Sequence, residues 1–344
     1  MVAYTPLISV IIPNYNRGEL LRETLASLRG QSYQNWEAWV VDDGSEDNSA
    51  KIAHQLIDTD PRIHYIRRNR EPRGAPVCRN IGIEASRGDF LIFLDSDDLL
   101  APHAMLQRSQ AILHHPDHDF WVFPILMFRE KPEDGTMLWN IDNGEPDLHR
   151  FLILDAPWQT SGPVWRKSAV EKTGGFTEGL ACWQDVDFHL KALIAGLKGL
   201  KCYDHPPDVW YRQHESGSIS QGEISSPAKL KSRFDIFRNN TLALTAENRP
   251  PDPGFIMEDL RLLGGNIAIG AARTLQETIC RQVITFGLSQ GVFHPQHARQ
   301  FTRILRFYQL RLNRIPFLDR RIRHITREYR QDSNIGRHPY QKPA

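Results

Sequence analysis

Three stretches of this 344-residue chain close a run of apolar residues with side chains that can do chemistry: Pro13-Asn14-Tyr15-Asn16, Asp42-Asp43-Gly44-Ser45 and Asp95-Ser96-Asp97-Asp98. Carboxylates gathered at one rim repel each other unless a cation or a hydrogen-bond donor sits among them. A divalent cation carrying a diphosphate meets that need, because hard cations take oxygen ligands and bridge phosphate oxygens. Around such a group Tyr15 could stack on a base, and Asp43 could accept from a base N–H or a ribose hydroxyl. Arg79, in Cys78-Arg79-Asn80, could offset phosphate charge. Asp-Gly-Ser after a strand also serves as a plain turn and helix cap, and the spacing excludes an EF-hand loop. The Asp95 cluster resists the simpler reading, since three carboxylates in four residues after Phe90-Leu91-Ile92-Phe93-Leu94 exceed what a cap needs.

The surrounding pattern supplies elements that could hold these residues. Residues 7–12 (LISVII) form an apolar, β-branched run closed by Pro13, which reads as a buried strand. A helix over 17–29 follows, with Leu20, Leu21, Leu25 and Leu28 at helical spacing. Strands are expected at 36–41, 63–66 and 90–94, with helices over 47–57 and 77–85 between them. Alternating strands and helices, with strands rich in apolar residues, imply an α/β domain with a mostly parallel sheet flanked by helices. In such sheets ligands bind outside the carboxyl ends of the strands, where all three polar stretches fall. Beyond residue 100, strands are expected at 119–128, 136–139, 200–203 and 209–212, with a helix over 184–195. From about 227 the pattern turns helical, broken at Pro250-Pro251-Asp252-Pro253-Gly254, and a polar stretch from 332 is expected to fray.

Taken in order, Ser9-Val10-Ile11-Ile12-Pro13-Asn14-Tyr15-Asn16, Val41-Asp42-Asp43-Gly44-Ser45, Arg79-Asn80-Ile81-Gly82 and Phe93-Leu94-Asp95-Ser96-Asp97-Asp98 resemble the family 2 glycosyltransferases with the GT-A fold. The resemblance covers about residues 7–220. It implies a Rossmann-like GT-A catalytic domain over 1–222, with a nucleotide-sugar half over about 1–100 and an acceptor half over 101–222. A helical C-terminal region over 223–331 and a tail over 332–344 would follow. It also implies inverting transfer of a sugar from a nucleotide-diphosphate donor, most commonly a UDP-sugar, assisted by Mn²⁺ or Mg²⁺. By that likeness Pro13, Tyr15, Asn16 and Asp43 would hold the nucleoside, and Arg79 would lie near the nucleotide. Asp95 and Asp97 would form the DxD element for ribose and metal, with Asp98 as a further metal candidate.

Inversion by direct displacement needs a base for the acceptor hydroxyl. The resemblance places it in Trp183-Gln184-Asp185-Val186-Asp187-Phe188, with Asp185 as the base, Asp187 as a competitor and Gln184 where the family commonly has Glu. Helical spacing sets Asp185 and His189 on one face. His214, in Tyr211-Arg212-Gln213-His214, would reach the metal or diphosphate. Trp158, Trp183, Gln184 and His189 are candidates for the acceptor side, because sugars stack on aromatic faces. Gly174-Gly175-Phe176 matches the family's acceptor-proximal turn and equally suits any tight turn. Two rival readings remain at this point: a nucleotide-sugar-binding protein without turnover, and a haloacid-dehalogenase-type phosphatase using Asp95.

Composition narrows the rest. With 42 basic against 41 acidic side chains, the net charge is +1, which gives no global case for nucleic acid. The apolar stretch around Trp121 and Phe128 is far short of the roughly 20 residues of a spanning helix. The first residues lack the features of a secretory signal, and four scattered cysteines fit reduced thiols, so a cytoplasmic location is expected. Residues 299–330 carry ten Arg against Asp319 and Glu328, interleaved with Phe301, Ile304, Leu305, Tyr308, Leu312 and Ile315. A basic amphipathic stretch of this kind can lie on the inner face of a membrane and suit a lipid-linked acceptor, or can pack on the catalytic domain with its basic face in solvent.

Overall fold

The computed structural model describes residues 4–139, 141–214, 226–246, 253–329 and 338–340. Strands and helices alternate through β1 (Ile8–Asn14), α1 (Gly18–Arg29), β2 (Trp36–Asp42), α2 (Ser49–Ile57), β3 (Ile63–Arg67), α3 (Ala75–Ala85) and β4 (Phe90–Phe93). Next come β5 (Leu99–Leu100), α4 (Ala104–His114), β6 (Phe120–Val122), β7 (Ile125–Phe128) and β8 (Met137–Leu138). They are followed by α5 (Asp147–Leu152), β9 (Pro163–Arg166), α6 (Lys167–Lys172), α7 (Gln184–Ile194), β10 (Gly199–Lys201) and β11 (Val209–Arg212). Helices α8 (Pro227–Thr245), α9 (Pro253–Arg273), α10 (Glu277–Ser289), α11 (Pro295–Gln309) and α12 (Pro316–Ile325) complete the chain, with β12 (His338–Pro339) after them.

The main sheet runs β10-β6-β9-β4-β1-β2-β3. Its half from β4 to β3 is parallel, and β9 runs antiparallel to both β4 and β6. Ile8, Val10, Ile11 and Ile12 of β1 are wholly buried, as a strand covered on both faces requires. The pleat divides them. Ile11, with Leu91 and Phe93 of β4, joins one core, while Val10 and Ile12, with Ile92 and Leu94, join the other. Helix α3 approaches β1 so closely that a Cβ on Gly82 would stand 2.4 Å from a methyl of Ile11. Only glycine fits there, and the approach brings Arg79 to the end of the sheet.

The stretch expected as one strand over 119–128 is two. Phe123 and Pro124 separate β6, in the main sheet, from β7, in a second sheet ordered β12-β8-β7-β11-β5. Proline has no N–H to continue a ladder, so the chain changes sheets there. Arg212 of β11, in the second sheet, bonds to the turn that follows β4. A wholly buried ion pair ties the two sheets together: Arg108 of α4 donates to Asp208 at 2.8 and 2.9 Å and to the carbonyls of Ser161 and Gly162, both at 3.1 Å. Loss of one partner of such a pair costs about 3–5 kcal/mol.

The helical C-terminal region shares a core with the sheet. One cluster runs from Phe93, Phe176 and Phe188 to Phe234, Phe237, Leu260 and Phe301. Phe301, Ile304, Leu305 and Tyr308, the apolar stripe of α11, are buried in it. Of the two readings, α11 takes the one in which the apolar face packs on the protein with the basic face in solvent. Among the described residues no helix is long and apolar enough to cross a membrane. Helix α9 begins at Pro253, while the expected boundary near 222 and residues 250–252 of the break expected at 250–254 lie outside the described residues. So does most of the tail expected to fray, although His338–Pro339 pairs antiparallel with Met137–Leu138.

Candidate active site

β1, β2 and β4 are parallel neighbours in register, so their carboxyl ends share one rim. At the end of β1 the buried Asn14 amide donates to Asp42 Oδ1 at 3.1 Å and to Ser45 Oγ at 3.2 Å. Asp42 Oδ2 accepts the N–H groups of Gly44 at 3.2 Å and Ser45 at 2.9 Å. Asp42 is therefore consumed in building the loop. Asn16, in a left-handed conformation, accepts from Glu46 N–H at 2.8 Å and links the two strand ends. Pro13 is half-buried, and Tyr15 beside it is 49% exposed, leaving its ring available for stacking. Asp43 receives Arg68 Nε at 2.5 Å. No motif in the sequence singles out Arg68.

After β4 the chain turns tightly, Asp98 N–H donating to the Asp95 carbonyl at 3.1 Å. The three carboxylates part company here. Asp95 is the most open and takes Arg79 Nη2 at 2.6 Å. Asp97 lies 2.7 Å from His214 Nε2 and is also paired with Arg17. Asp98 is fully buried, its carboxylate facing Arg212 N–H at 3.0 Å and Gln159 and Ser161 at 3.4 Å each. Burial, then the charges of Asp97 and Asp95, hold its carboxyl well above the usual range. Wholly buried and turned inward, Asp98 is not displayed at the rim as the metal candidate it was expected to be. Arg212 also donates to the Asp97 carbonyl at 3.0 Å and reaches Glu23, so β11 fixes the turn that displays Asp97.

Arg79 is buried on α3, and its Nε and Nη1 have no hydrogen-bond partner among the described residues. A guanidinium with two unmatched donors next to a carboxylate rim holds surplus positive charge suited to an anion. Asp185 stands in the first turn of α7, half-buried, with its carboxyl raised above the usual range. Burial is the main cause; Arg79 opposes the shift and Asp95 adds to it. Tyr211 of β11, packed on Trp139 at 5.1 Å, has its hydroxyl pushed up by burial and then by Asp98, Asp95, Asp97 and Asp185.

Asp187, the competing base, is spoken for: it is buried, accepts from Thr177 Oγ1 at 2.6 Å and lies 3.6 Å from Lys191. The segment before α7 is held from two sides. Gly175 has φ +69°, and a Cβ there would meet Asn80 Oδ1 at 2.7 Å. Asn80 instead bridges Phe176 N–H and C=O, both at 2.9 Å, coupling this turn to α3. From the other side Ser232 Oγ of α8 accepts Ala181 N–H at 2.9 Å, and the Arg233 guanidinium lies 4.5 Å over the Trp183 ring. Trp183 itself adopts a left-handed conformation, φ 56°, immediately before Gln184, whose Oε1 is buried and unmatched among the described residues.

Two acceptor-side candidates are corrected. Trp158 and His189 are almost wholly buried, in an aromatic cluster with Phe151, Trp165 and Phe188. Burial and the Arg79 charge drive the His189 imidazole down to about 3, and at 1% exposure it has no surface for an acceptor to reach. The helical spacing that set Asp185 and His189 on one face does not distinguish a face in the core from one in a cleft. Trp183 and Gln184 stay at the cleft.

Among the described residues no group of three or more His, Cys, Asp or Glu is arranged to hold a metal. The donors at hand are Asp97 and His214, an oxygen and a nitrogen in contact. They fit a cation such as Mn²⁺ or Mg²⁺ whose remaining ligands come from phosphate and water. Residues 215–220 of the segment carrying His214 lie outside the described residues.

Comparison with known proteins adds identity to this geometry. Residues 9–169 match the profile of Glycosyl transferase family 2. An uncharacterized glycosyltransferase of Haemophilus influenzae is 45% identical over 112 residues, covering 32% of this chain and 44% of that protein. The putative teichuronic acid biosynthesis glycosyltransferase TuaG of Bacillus subtilis is 41% identical over 98 residues, covering 28% of this chain and 38% of TuaG. The chain thus spans less than half the length of these relatives. The crystal structure of S. aureus TarS 1-349 in complex with UDP-GlcNAc superposes with a TM-score of 0.63 at 16% identity, over 88% of this chain and 91% of that one. The sheet and the helical region after it therefore follow a known glycosyltransferase fold.

Proposed function

Because residues 9–169 belong to glycosyl transferase family 2, we propose that this chain moves a sugar from a nucleoside diphosphate, a UDP-sugar first among them, to a hydroxyl of a saccharide or lipid-linked acceptor, with inversion at the anomeric carbon. The observation that carries this reading is the Asp95–Arg79 pair beside Asp97 at the end of β4, with two Arg79 donors unmatched among the described residues and open to an anion. The Asp185 carboxyl responds to the charges of both Arg79 and Asp95. The likeness to the TarS complex with UDP-GlcNAc supports the choice of donor class. The match to the glycosyltransferase profile favours this reading over the phosphatase alternative.

In the proposed reaction Tyr15 stacks on the base, and Asp43, held by Arg68, accepts from the nucleoside. Asp95 faces the ribose, and the free donors of Arg79 face the diphosphate. A divalent cation held by Asp97 and His214 would supply Lewis-acid neutralisation of the diphosphate. Asp185 takes the proton of the acceptor hydroxyl as its oxygen bonds to the anomeric carbon. The bond from that carbon to the diphosphate breaks, and its electron pair leaves with the nucleotide, whose charge Arg79 offsets. A carboxylate raised toward the working pH is a better base than an ordinary one.

UDP release from UDP-sugars with and without a saccharide acceptor tests this. We expect acceptor-dependent UDP release and no inorganic phosphate. Asp185→Asn should lower turnover by about 10²–10⁴-fold with UDP affinity intact. Activity should climb as pH rises through the raised Asp185 value, because the base must be ionised. Full activity in Asp185→Asn would remove it as base, and donor binding without turnover would favour the binding-protein reading, for which Gln184 is the motivating departure.

A further inference from the structure

The apolar stripe of α11 is buried, yet the segment that follows exposes large apolar side chains among arginines. Leu310 is 70% exposed, Ile315 48% and Phe317 69%, and α12 has no buried residue. Around them stand Arg311, Arg314, Arg320 and Arg321, all exposed and without an ion pair among the described residues. Asp319 is matched within α12 by Arg323. Leu318 and Ile322, on the other side of the helix from Phe317, are partly buried, and Ile322 packs on the main core. The helix is therefore seated by one side and presents Phe317, Arg320 and Arg321 on the other.

We propose that residues 310–325 dock this protein on the surface of an anionic phospholipid bilayer. Leu310, Ile315 and Phe317 enter the boundary between headgroups and acyl chains, and the arginines meet lipid phosphates. The mix selects this occupant. Isolated large apolar side chains ringed by unpaired arginines match an interface that is greasy below and negative above. A second copy of the same patch would set arginine against arginine. The inference rests on this surface alone and does not depend on the transferase reading.

Sedimentation of the full chain with vesicles of pure phosphatidylcholine, or of phosphatidylcholine with 30% phosphatidylglycerol, tests it at about 0.1 M and about 0.5 M salt. Binding should be confined to the anionic vesicles and weaken at the higher salt. Phe317→Ser, and separately Arg320→Glu with Arg321→Glu, should each lower partitioning by about tenfold or more. Circular-dichroism spectra and melting transitions of the same variants, unchanged, would confirm that they are folded. Equal binding to neutral vesicles, absence of binding, or binding indifferent to Phe317→Ser would overturn the proposal. So would self-association without vesicles that Phe317→Ser abolishes, which would make the patch a contact between copies.

Discussion

At the scale of single residues, the three carboxylates after β4 have three different surroundings. Asp95 meets a guanidinium, Asp97 an imidazole and Arg17, and Asp98 mainly neutral donors in the core. Sequence spacing found the cluster and could not divide it, because division depends on Gln159, Ser161 and Arg212, which arrive from 60 to 115 positions away. A carboxyl held above its unfolded value favours the folded state while protonated, and that contribution fades as pH rises through the folded value. Relative to Asp98→Asn, the wild type should therefore look most stable at acid pH and lose ground toward pH 8. Melting temperatures of both proteins at pH 5 and pH 8 check this, and a gap that widens in favour of the wild type with rising pH would contradict it. If Asp98 is framework and not ligand, the variant should also keep metal-dependent nucleotide binding.

At the scale of elements, the alternating first hundred residues were readable because β1 and β4 are apolar on both faces and α1 has one apolar stripe. β9 escaped notice: four residues beginning with Pro163 and ending in Arg166 carry too little pattern, and it is tertiary contact with β4 and β6 that makes them a strand. The same limit hid what α8 does. Its grip on Ala181 and Trp183 steadies the residues just ahead of the proposed base, a pairing that nothing in 227–245 announces. Arg233→Ala should lower turnover by about tenfold, the scale of a desolvated cation–π contact, while leaving the Kd for UDP unchanged. Arg233→Lys should recover part of the loss by restoring the charge over Trp183. Equal losses in turnover and UDP affinity would instead mark Arg233 as a general structural support.

At the scale of the molecule, the helical region is part of the fold and not an accessory. Phe93, Phe176 and Phe188 sit in one core with Phe234, Phe237 and Leu260, so residues 1–225 alone would expose an aromatic face. That truncation should be insoluble or lack a cooperative unfolding transition, seen by expression and circular dichroism. A soluble truncation that melts as sharply as the full chain would show two independent units. The basic run of 299–330 illustrates what whole-chain charge conceals: a net charge of +1 covers one helix with its apolar face buried and another with arginines and a phenylalanine in solvent.

The central claim is that the rim formed by the ends of β1, β2 and β4 binds a nucleoside diphosphate. Calorimetric titration of the full chain with UDP, with and without Mn²⁺, and with GDP and TDP as controls, tests it most directly. The account predicts Mn²⁺-dependent binding selective for one base, weakened by Asp97→Asn and by Arg79→Ala and retained in Asp185→Asn. Absence of binding by all three nucleotides, or binding indifferent to Asp97 and Arg79, would contradict it.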